Sequence, residues 1–246
     1  AQDQGAGINS PTRGIFAGSA APSKENLITF VTISTLGDAA DFGDLTASKG
    51  ALSGASSSTR GLTFGGHTPS GFVNNIDLIT IPTLGNATDF GDLVAINAES
   101  TAASSQVRGL CAGGETPTGG GWTNVIQYVT IATAGNATDF GDMTAGHDFH
   151  GTASSSTRGI IYGGITSYGP SVRTNIIEYV TIASTGNGTD FGDVRDDGAH
   201  AHGTSNSIRG VFAGGIDPYR NSIDFITIAT TGDGVDWGDL PIETGS

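Results

Sequence analysis

Short apolar and polar runs alternate along this chain, and they come in the same order five times. One run is Arg158-Gly159-Ile160-Ile161-Tyr162, closed by Gly163-Gly164. Another is Ile177-Glu178-Tyr179-Val180-Thr181-Ile182, rich in β-branched and aromatic residues. Runs of this length and chemistry, bounded by glycine and polar turn residues, predict strands. A run of small residues precedes each pair, as in Thr152-Ala153-Ser154-Ser155-Ser156, and a short run centred on Asp190-Phe191-Gly192-Asp193 follows it. No stretch keeps an apolar period of 3.6 long enough for a helix.

Three blocks mark the repeat. An R-G-hydrophobic-x-x-G block begins at Arg13, Arg60, Arg108, Arg158 and Arg209, with spacings of 47, 48, 50 and 51 residues. An N-x-I-x-[aromatic or Leu]-[VI]-T-I block begins at Asn26, Asn74, Asn124, Asn175 and Asn221. A D-[FW]-G-D block begins at Asp41, Asp89, Asp139, Asp190 and Asp236. A period of this size marks supersecondary units that stack or circle an axis. Four strands per unit and five units predict an all-β fold, a five-bladed β-propeller with four antiparallel strands in each blade. The blades fall at about 1–45, 46–93, 94–143, 144–194 and 195–246, in one domain. The first strand carries the smallest side chains, as crowding at the axis requires. The third is apolar on both faces, as a sheet sandwiched between neighbours requires. Residues 5–12 supply a first strand for unit one and Asp236 to Leu240 a fourth for unit five, so no strand exchange between the ends is expected. Closure then depends on packing between blades one and five, or on flanking residues. An open solenoid is the structural alternative.

The glycine pairs, the aliphatic-aromatic third strand and the aromatic before the next unit (Trp237, otherwise Phe) resemble kelch-type repeats. Tandem units such as Y-V-T-I-A-S-T-G-N-G-T-D-F-G-D with T-R-G-x-x-x-G-G are similar to repeat proteins of bacteriophages, marine ones especially, found among virion and tail-fibre-like proteins. The resemblance covers nearly the whole chain. It implies a non-enzymatic protein of the virion surface, without a cofactor. Its partners would be other virion proteins or a host surface glycan, with oligomers in the particle an option. Four of the five units lack the tryptophan of eukaryotic kelch repeats, so the resemblance does not extend to a ubiquitin-ligase adaptor.

Charge narrows the partners. The formal net charge is −14 with ten Lys and Arg, a field that repels a phosphate backbone, so no nucleic-acid partner is expected. No run of apolar residues is long enough for a membrane-spanning helix, so no membrane insertion is expected. The first residues show no signal-peptide pattern. Cys111 is the single cysteine and stands where the other units have Phe16, Thr63, Ile161 and Phe212, which reads as a small buried hydrophobe.

The motifs with chemical associations read mostly as architecture. D-F-G recurs in kinases, but here it repeats without the H-R-D and ATP-binding loops that kinase chemistry needs. Its aromatic would plug the space between blades, its glycine make a bend and Asp41, Asp89, Asp139, Asp190 and Asp236 accept turn amides. The five repeated arginines are half of the ten cations and are expected to pair with these carboxylates in the same or the adjacent blade. Asn86, Asn136 and Asn187 head N-x-T sequons, and a turn preference accounts for them.

Features found in single units remain. His147 and His150 follow the fourth strand of unit three, and His200 and His202 that of unit four, each with carboxylates nearby. They form a candidate zinc or other divalent-metal set, with solvated polar loops as the plainer reading. In an antiparallel four-stranded blade, the 2–3 loops and the 4–1 connections emerge on one face. Those segments vary here, while the 1–2 and 3–4 turns are nearly constant. The variable face carries Phe72, Trp122, Tyr168, Arg173, Tyr219 and Arg220, side chains suited to stacking on sugars or anchoring a protein. The expected function is a phage structural or adsorption protein that presents this face to a host glycan or a neighbouring virion protein. A free lectin-like module is the alternative. A glycoside hydrolase is a further one, for which the sequence singles out no acid pair.

Overall fold

A computed structural model of the chain describes residues 4–117, 121–148, 150–168, 171–197, 202–215 and 219–244. It is a five-bladed β-propeller of four antiparallel strands per blade. Blade 1 holds β1 (Ala6–Asn9), β2 (Arg13–Ser19), β3 (Glu25–Thr32) and β4 (Ala40–Asp44). Blade 2 holds β5 (Ser53–Ser56), β6 (Arg60–Phe64), β9 (Asn75–Thr80) and β10 (Thr88–Asp92), with a small hairpin of β7 (His67–Thr68) and β8 (Gly71–Phe72) between its second and third strands. Blade 3 holds β11 (Thr101–Ser104), β12 (Arg108–Ala112), β13 (Val125–Thr130) and β14 (Thr138–Asp142). Blade 4 holds β15 (Gly151–Ser154), β16 (Arg158–Tyr162), β19 (Ile176–Thr181) and β20 (Thr189–Asp193), with the hairpin β17 (Ile165–Tyr168) and β18 (Ser171–Arg173). Blade 5 holds β21 (His202–Ser205), β22 (Arg209–Ala213), β23 (Arg220–Thr227) and β24 (Val235–Thr244). Each blade draws its four strands from one unit, with no exchange between the ends.

The core is divided into the spaces between blades. Four clusters of buried side chains join blades 1 and 2, 2 and 3, 3 and 4, and 4 and 5. Ile81, Ile131, Ile182 and Ile228 each enter one cluster from the following blade, and Phe42, Phe90, Phe140 and Phe191 each enter one from the preceding blade. The phenylalanines point there because the D-F-G-D strand bulges. Asp89 pairs with Asp77 and Gly91 with Ile76, which leaves Phe90 as the extra residue that the bulge re-aims. Glycine is required next to it: a Cβ on Gly91 would lie 2.5 Å from the carbonyl carbon and oxygen of Gly135 in the next blade. Cys111 lies in the cluster between blades 2 and 3, and burial pushes its thiol pKa up, as the hydrophobe reading expects.

Polar contacts repeat at the same junctions. The 3–4 turn of each following blade grips the preceding D-F-G-D strand. Gly85 N donates to Phe42 O at 2.8 Å, Ala87 N to Asp44 O at 2.7 Å, and Asn86 Oδ1 accepts from Asp44 N at 3.1 Å. Asn136, Asn187 and Asp233 accept in the same way from Asp92, Asp142 and Asp193. The sequon asparagines are thus turn residues that latch onto a neighbour. Each junction also buries a polar residue of the third strand. Asp77, Gln127, Glu178 and Asp224 accept from the amides of Thr46, Val94, Thr144 and Arg195.

The repeated arginines do not pair with the D-F-G-D carboxylates. Arg13 donates to Ile81 O at 2.5 Å, Arg60 to Ile131 O at 3.0 Å, Arg108 to Ile182 O at 3.0 Å and Arg158 to Ile228 O at 2.8 Å. Arg13, Arg108, Arg158 and Arg209 also lie over the aromatic ring of their own third strand, Phe30, Tyr128, Tyr179 and Phe225. The guanidinium satisfies carbonyls at the end of the next blade's third strand, where backbone acceptors would otherwise be orphaned. Of the carboxylates, Asp41 and Asp236 accept from the amide two residues on, Gly43 and Gly238, which is the expected turn role.

Between blades 5 and 1 none of this is present among the described residues. No hydrogen bond, ion pair or buried cluster joins them. Ile33 of blade 1 and Trp237 of blade 5 are more than half exposed, whereas their counterparts at the other four junctions are buried.

Candidate functional site

The two ends of the propeller differ in construction. On one face the 1–2 turns are copies of one another. Ser10, Ser57, Ser105 and Ser155 Oγ, and Asn206 Oδ1, accept the amide of the repeated arginine three residues on. On the other face the 2–3 segments differ from unit to unit and pair with the 4–1 connections. Gly50 bridges to His67, Ala98 to Glu115 and Asp148 to Ile165, so these segments form one continuous surface, as the topology predicts.

The connections to blades 2 and 3 pass through a left-handed residue just before the first strand. Ala51 and Glu99 both have φ of 56°, as Gln4 has 51°, and Ala51 N donates to Gln4 O while Glu99 N donates to Ala51 O. Such conformations cost roughly 1–3 kcal/mol outside glycine and concentrate where a side chain must be aimed. Glu99 is the one acid at these three positions. Its carboxyl is raised from 4.5 to about 7, by burial first, then by the charges of Asp148 and Glu115 and a hydrogen bond with Asp148. Asp148 is fully buried. Glu115 sits in the blade 3 loop, backbone-bridged to Ala98 on one side and Trp122 on the other. Glu99, Glu115 and Asp148 therefore form a carboxyl group of three near the axis, with the Trp122 segment beside it. Near neutral pH Glu99 divides between its acid and carboxylate forms, so the pair can both donate and accept hydrogen bonds.

The predicted aromatics and arginines all fall on this variable face, in different states. Phe72 lies edge-on to His67 with ring centroids 4.8 Å apart, tied into the β7–β8 hairpin. Trp122 is half-buried, and Tyr219 is 61% exposed. Arg173 ends β18. Arg220 is already engaged, with ion pairs to Asp196 at 3.0 Å and Asp197 at 3.2 Å. The side chain of Tyr168 and all of His200 lie outside the described residues.

Among the described residues the histidines do not gather into a metal site. His147 and His150 are buried together at the junction of blades 3 and 4, rings edge to face at 5.0 Å, and His150 Nε2 is within 3.2 Å of Ala112 O. Burial pushes them down to about 4 and about 3 respectively, with the charge of His147 adding to the shift of His150. His202 is exposed on β21. Among the described residues no three His, Cys, Asp or Glu side chains could hold a metal ion. The two rings are packing histidines, held neutral by desolvation.

Elsewhere on this face a cavity of about 30 Å³ lies beneath Arg220, lined also by Tyr162, Val194, Phe212 and Asp224. That is room for one water and not for a sugar ring.

Sequence reasoning did not single out Glu99, Glu115 or Asp148. The signal was present, since Glu99 stands where Ala51 stands in the preceding unit and Glu115 is the single acid directly after a glycine pair in the five units. No protein-family model matches the chain, and no curated protein matches its sequence. Among solved structures it is similar to one titled "Structure of YjhT", with a TM-score of 0.79, 11% identity and coverage of 98% of this chain and 84% of that one. At that identity the likeness speaks for the fold alone.

Proposed function

We propose that the chain is a non-enzymatic attachment module whose variable face binds carbohydrate, working as part of a phage-type virion surface. The observation that carries the reading is the grouping of Glu99, Asp148 and Glu115 beside the Trp122 segment, built from loops that differ between units on a scaffold that does not. Carbohydrate recognition needs an aromatic face for the apolar side of a sugar ring and fixed groups for its hydroxyls. A protonated carboxyl beside a carboxylate supplies both donor and acceptor. Three acids on a chain of net charge −14 favour a neutral or cationic glycan over a sialylated or sulfated one. The virion setting rests on the resemblance of the repeats.

The test is a glycan array with the purified protein, repeated with Trp122→Ala and Glu99→Ala. Saturable binding to a neutral glycan, weakened at least ~10-fold in either variant, is the expected result. Binding unaffected by both would place the ligand elsewhere. No binding to any glycan would move the face to the second reading, docking onto another virion protein.

A further inference from the structure

The junction of blades 1 and 2 holds a set of side chains that the other junctions do not. It brings together Lys49, Asn75 and Asp77. Lys49 stands in the 4–1 connection, where the next two units have Asn97 and His147. Its backbone belongs to blade 1: Lys49 N donates to Glu25 O at 3.1 Å, and Lys49 O accepts from Ser19 N at 3.2 Å. Asn75 and Asp77 lie on β9 of blade 2. Asn75 takes the place of Leu27, Val125, Ile176 and Ser222, and Asp77 that of Thr29, Gln127, Glu178 and Asp224. In no other unit do these positions hold a lysine, an asparagine and an acid together.

The three side chains are arranged about one amide. Lys49 Nζ donates to Asn75 Oδ1 at 3.1 Å and lies 3.3 Å from Asp77 Oδ2. Asp77 Oδ1 accepts from Asn75 Nδ2 at 2.8 Å and from Thr46 Oγ1 at 2.6 Å. One carboxylate therefore bridges the lysine nitrogen and the amide nitrogen. The amide carbon is one bond from the oxygen that the lysine touches. The side chains of Lys49 and Asp77 are fully buried. Burial lowers the pKa of Lys49, while the charge and hydrogen bond of Asp77 act the other way. The junction does not need a buried cation. Between blades 2 and 3 the uncharged Gln127 accepts the matching amide, from Val94. A buried ion pair adds little stability over such an arrangement. A desolvated lysine, in contrast, is poised to act as a nucleophile.

We propose that Lys49 and Asn75 form an intramolecular isopeptide bond, with Asp77 as the catalytic acid and base. Lys49 passes a proton to Asp77, and the free amine attacks Asn75 Cγ. As the Nζ–Cγ bond forms, Asp77 hands its proton to Nδ2 and takes one from Nζ. The Cγ–Nδ2 bond then breaks and ammonia leaves. It takes the proton from Asp77 as ammonium, which restores the carboxylate. Nothing is oxidised or reduced, and no co-reactant is needed. An amide is a poor electrophile, and proximity makes up for it, because nucleophile, carbonyl and proton carrier are already held together. The product is a covalent tie between blades 1 and 2, in a chain whose single cysteine can form no internal disulfide. Residues 49–75 then stay closed in the unfolded chain, so unfolding gains less entropy.

The experiment is mass spectrometry of the full chain, denatured after prolonged incubation of the folded protein, with a proteolytic map. The wild type should be lighter than its sequence by one ammonia and yield a branched peptide joining Lys49 to Asn75. Lys49→Arg keeps a cation beside Asp77, and Asn75→Ala removes the amide. Both, checked for folding by circular dichroism, should show the full mass and no branched peptide. Asp77→Asn should form the bond at least ~100-fold more slowly. A wild type of full mass overturns the proposal and leaves Lys49 and Asp77 as an ion pair only. So does a loss of ammonia without the branched peptide, which closure of Asn187-Gly188 to a succinimide would give. A bond that forms as fast in Asp77→Asn overturns the role of Asp77.

Discussion

The junction of blades 2 and 3 and the outward faces of blades 5 and 1 contain nearly the same residues in very different states. Phe90, Gly91, Arg60 and Ile131 are buried, gripped or bonded across the first, while Trp237, Gly238, Arg209 and Ile33 face solvent on the second. The repeat thus dictates a face, and only the presence of a neighbour turns that face into stability. An aromatic or a glycine has no fixed worth in this fold. Its worth is set by what lies opposite.

The sharpest way to break that comparison is to remove the aromatic plug on each side. Phe90→Ala should cost ~3–5 kcal/mol, because it opens a cavity between two closely packed blades. Trp237→Ala should cost under ~1.5 kcal/mol, since half of its ring is already in water. Urea unfolding of both variants decides it. Equal losses would mean that Trp237 is covered in solution.

The glycines sharpen the same contrast. Gly91 and Gly238 share nearly the same backbone, φ of 146° and 140°, so alanine strains both alike. Only at Gly91 does the new Cβ run into backbone, the carbonyl group of Gly135. Gly91→Ala should therefore destabilise by at least ~2 kcal/mol more than Gly238→Ala, the shared strain of ~1–3 kcal/mol cancelling between them. Thermal midpoints would show it. The arginines come next. Arg60→Ala loses bonds to Ile131 O and Ala132 O, at ~1.5–3 kcal/mol. Arg209→Ala loses only stacking on Phe225 and Trp237, at ~0.5–1 kcal/mol.

These contrasts mark how far the sequence could be read. Blade count, strand order and the separation into constant and variable faces follow from local rules: strand chemistry, turn residues and the direction in which antiparallel strands emerge. Those rules hold whether or not a neighbour is present. The role of the repeated arginine was not legible, because opposite charge suggests a carboxylate while the nearest unsatisfied groups are the carbonyls of Ile81, Ile131, Ile182 and Ile228. Which carbonyl lies within reach is a matter of blade geometry. His147 and His150 looked like exposed loop ligands for the same reason, since burial at a junction leaves no mark in H-D-F-H itself. Glu99 was hidden differently. It breaks no strand and sits in a connection, and its neighbours Asp148 and Glu115 are brought to it by different blades.

The smallest expected effect concerns that acid and carries the comparison from the junctions to the variable face. Glu99 takes up its proton more readily folded, at about 7, than at its ordinary 4.5. Below 4.5 both states hold the proton and its contribution to stability is whole. As pH rises from there through 7, the folded chain must release a proton that the unfolded chain has already lost, and stability falls. The buried histidines act oppositely. Their folded values, about 4 and about 3, lie below the ordinary 6.5, so stability falls as pH drops below 6.5. Glu99→Gln keeps the shape and removes one titration. It should leave the urea midpoint nearly unchanged below 4.5, raise it slightly above 7 and leave the histidine-driven loss at low pH in place. A variant whose midpoint shifted by the same amount at every pH would show that Glu99 holds no raised proton. The hydrogen-bond donor role that the sugar-binding reading gives Glu99 would then have to be abandoned.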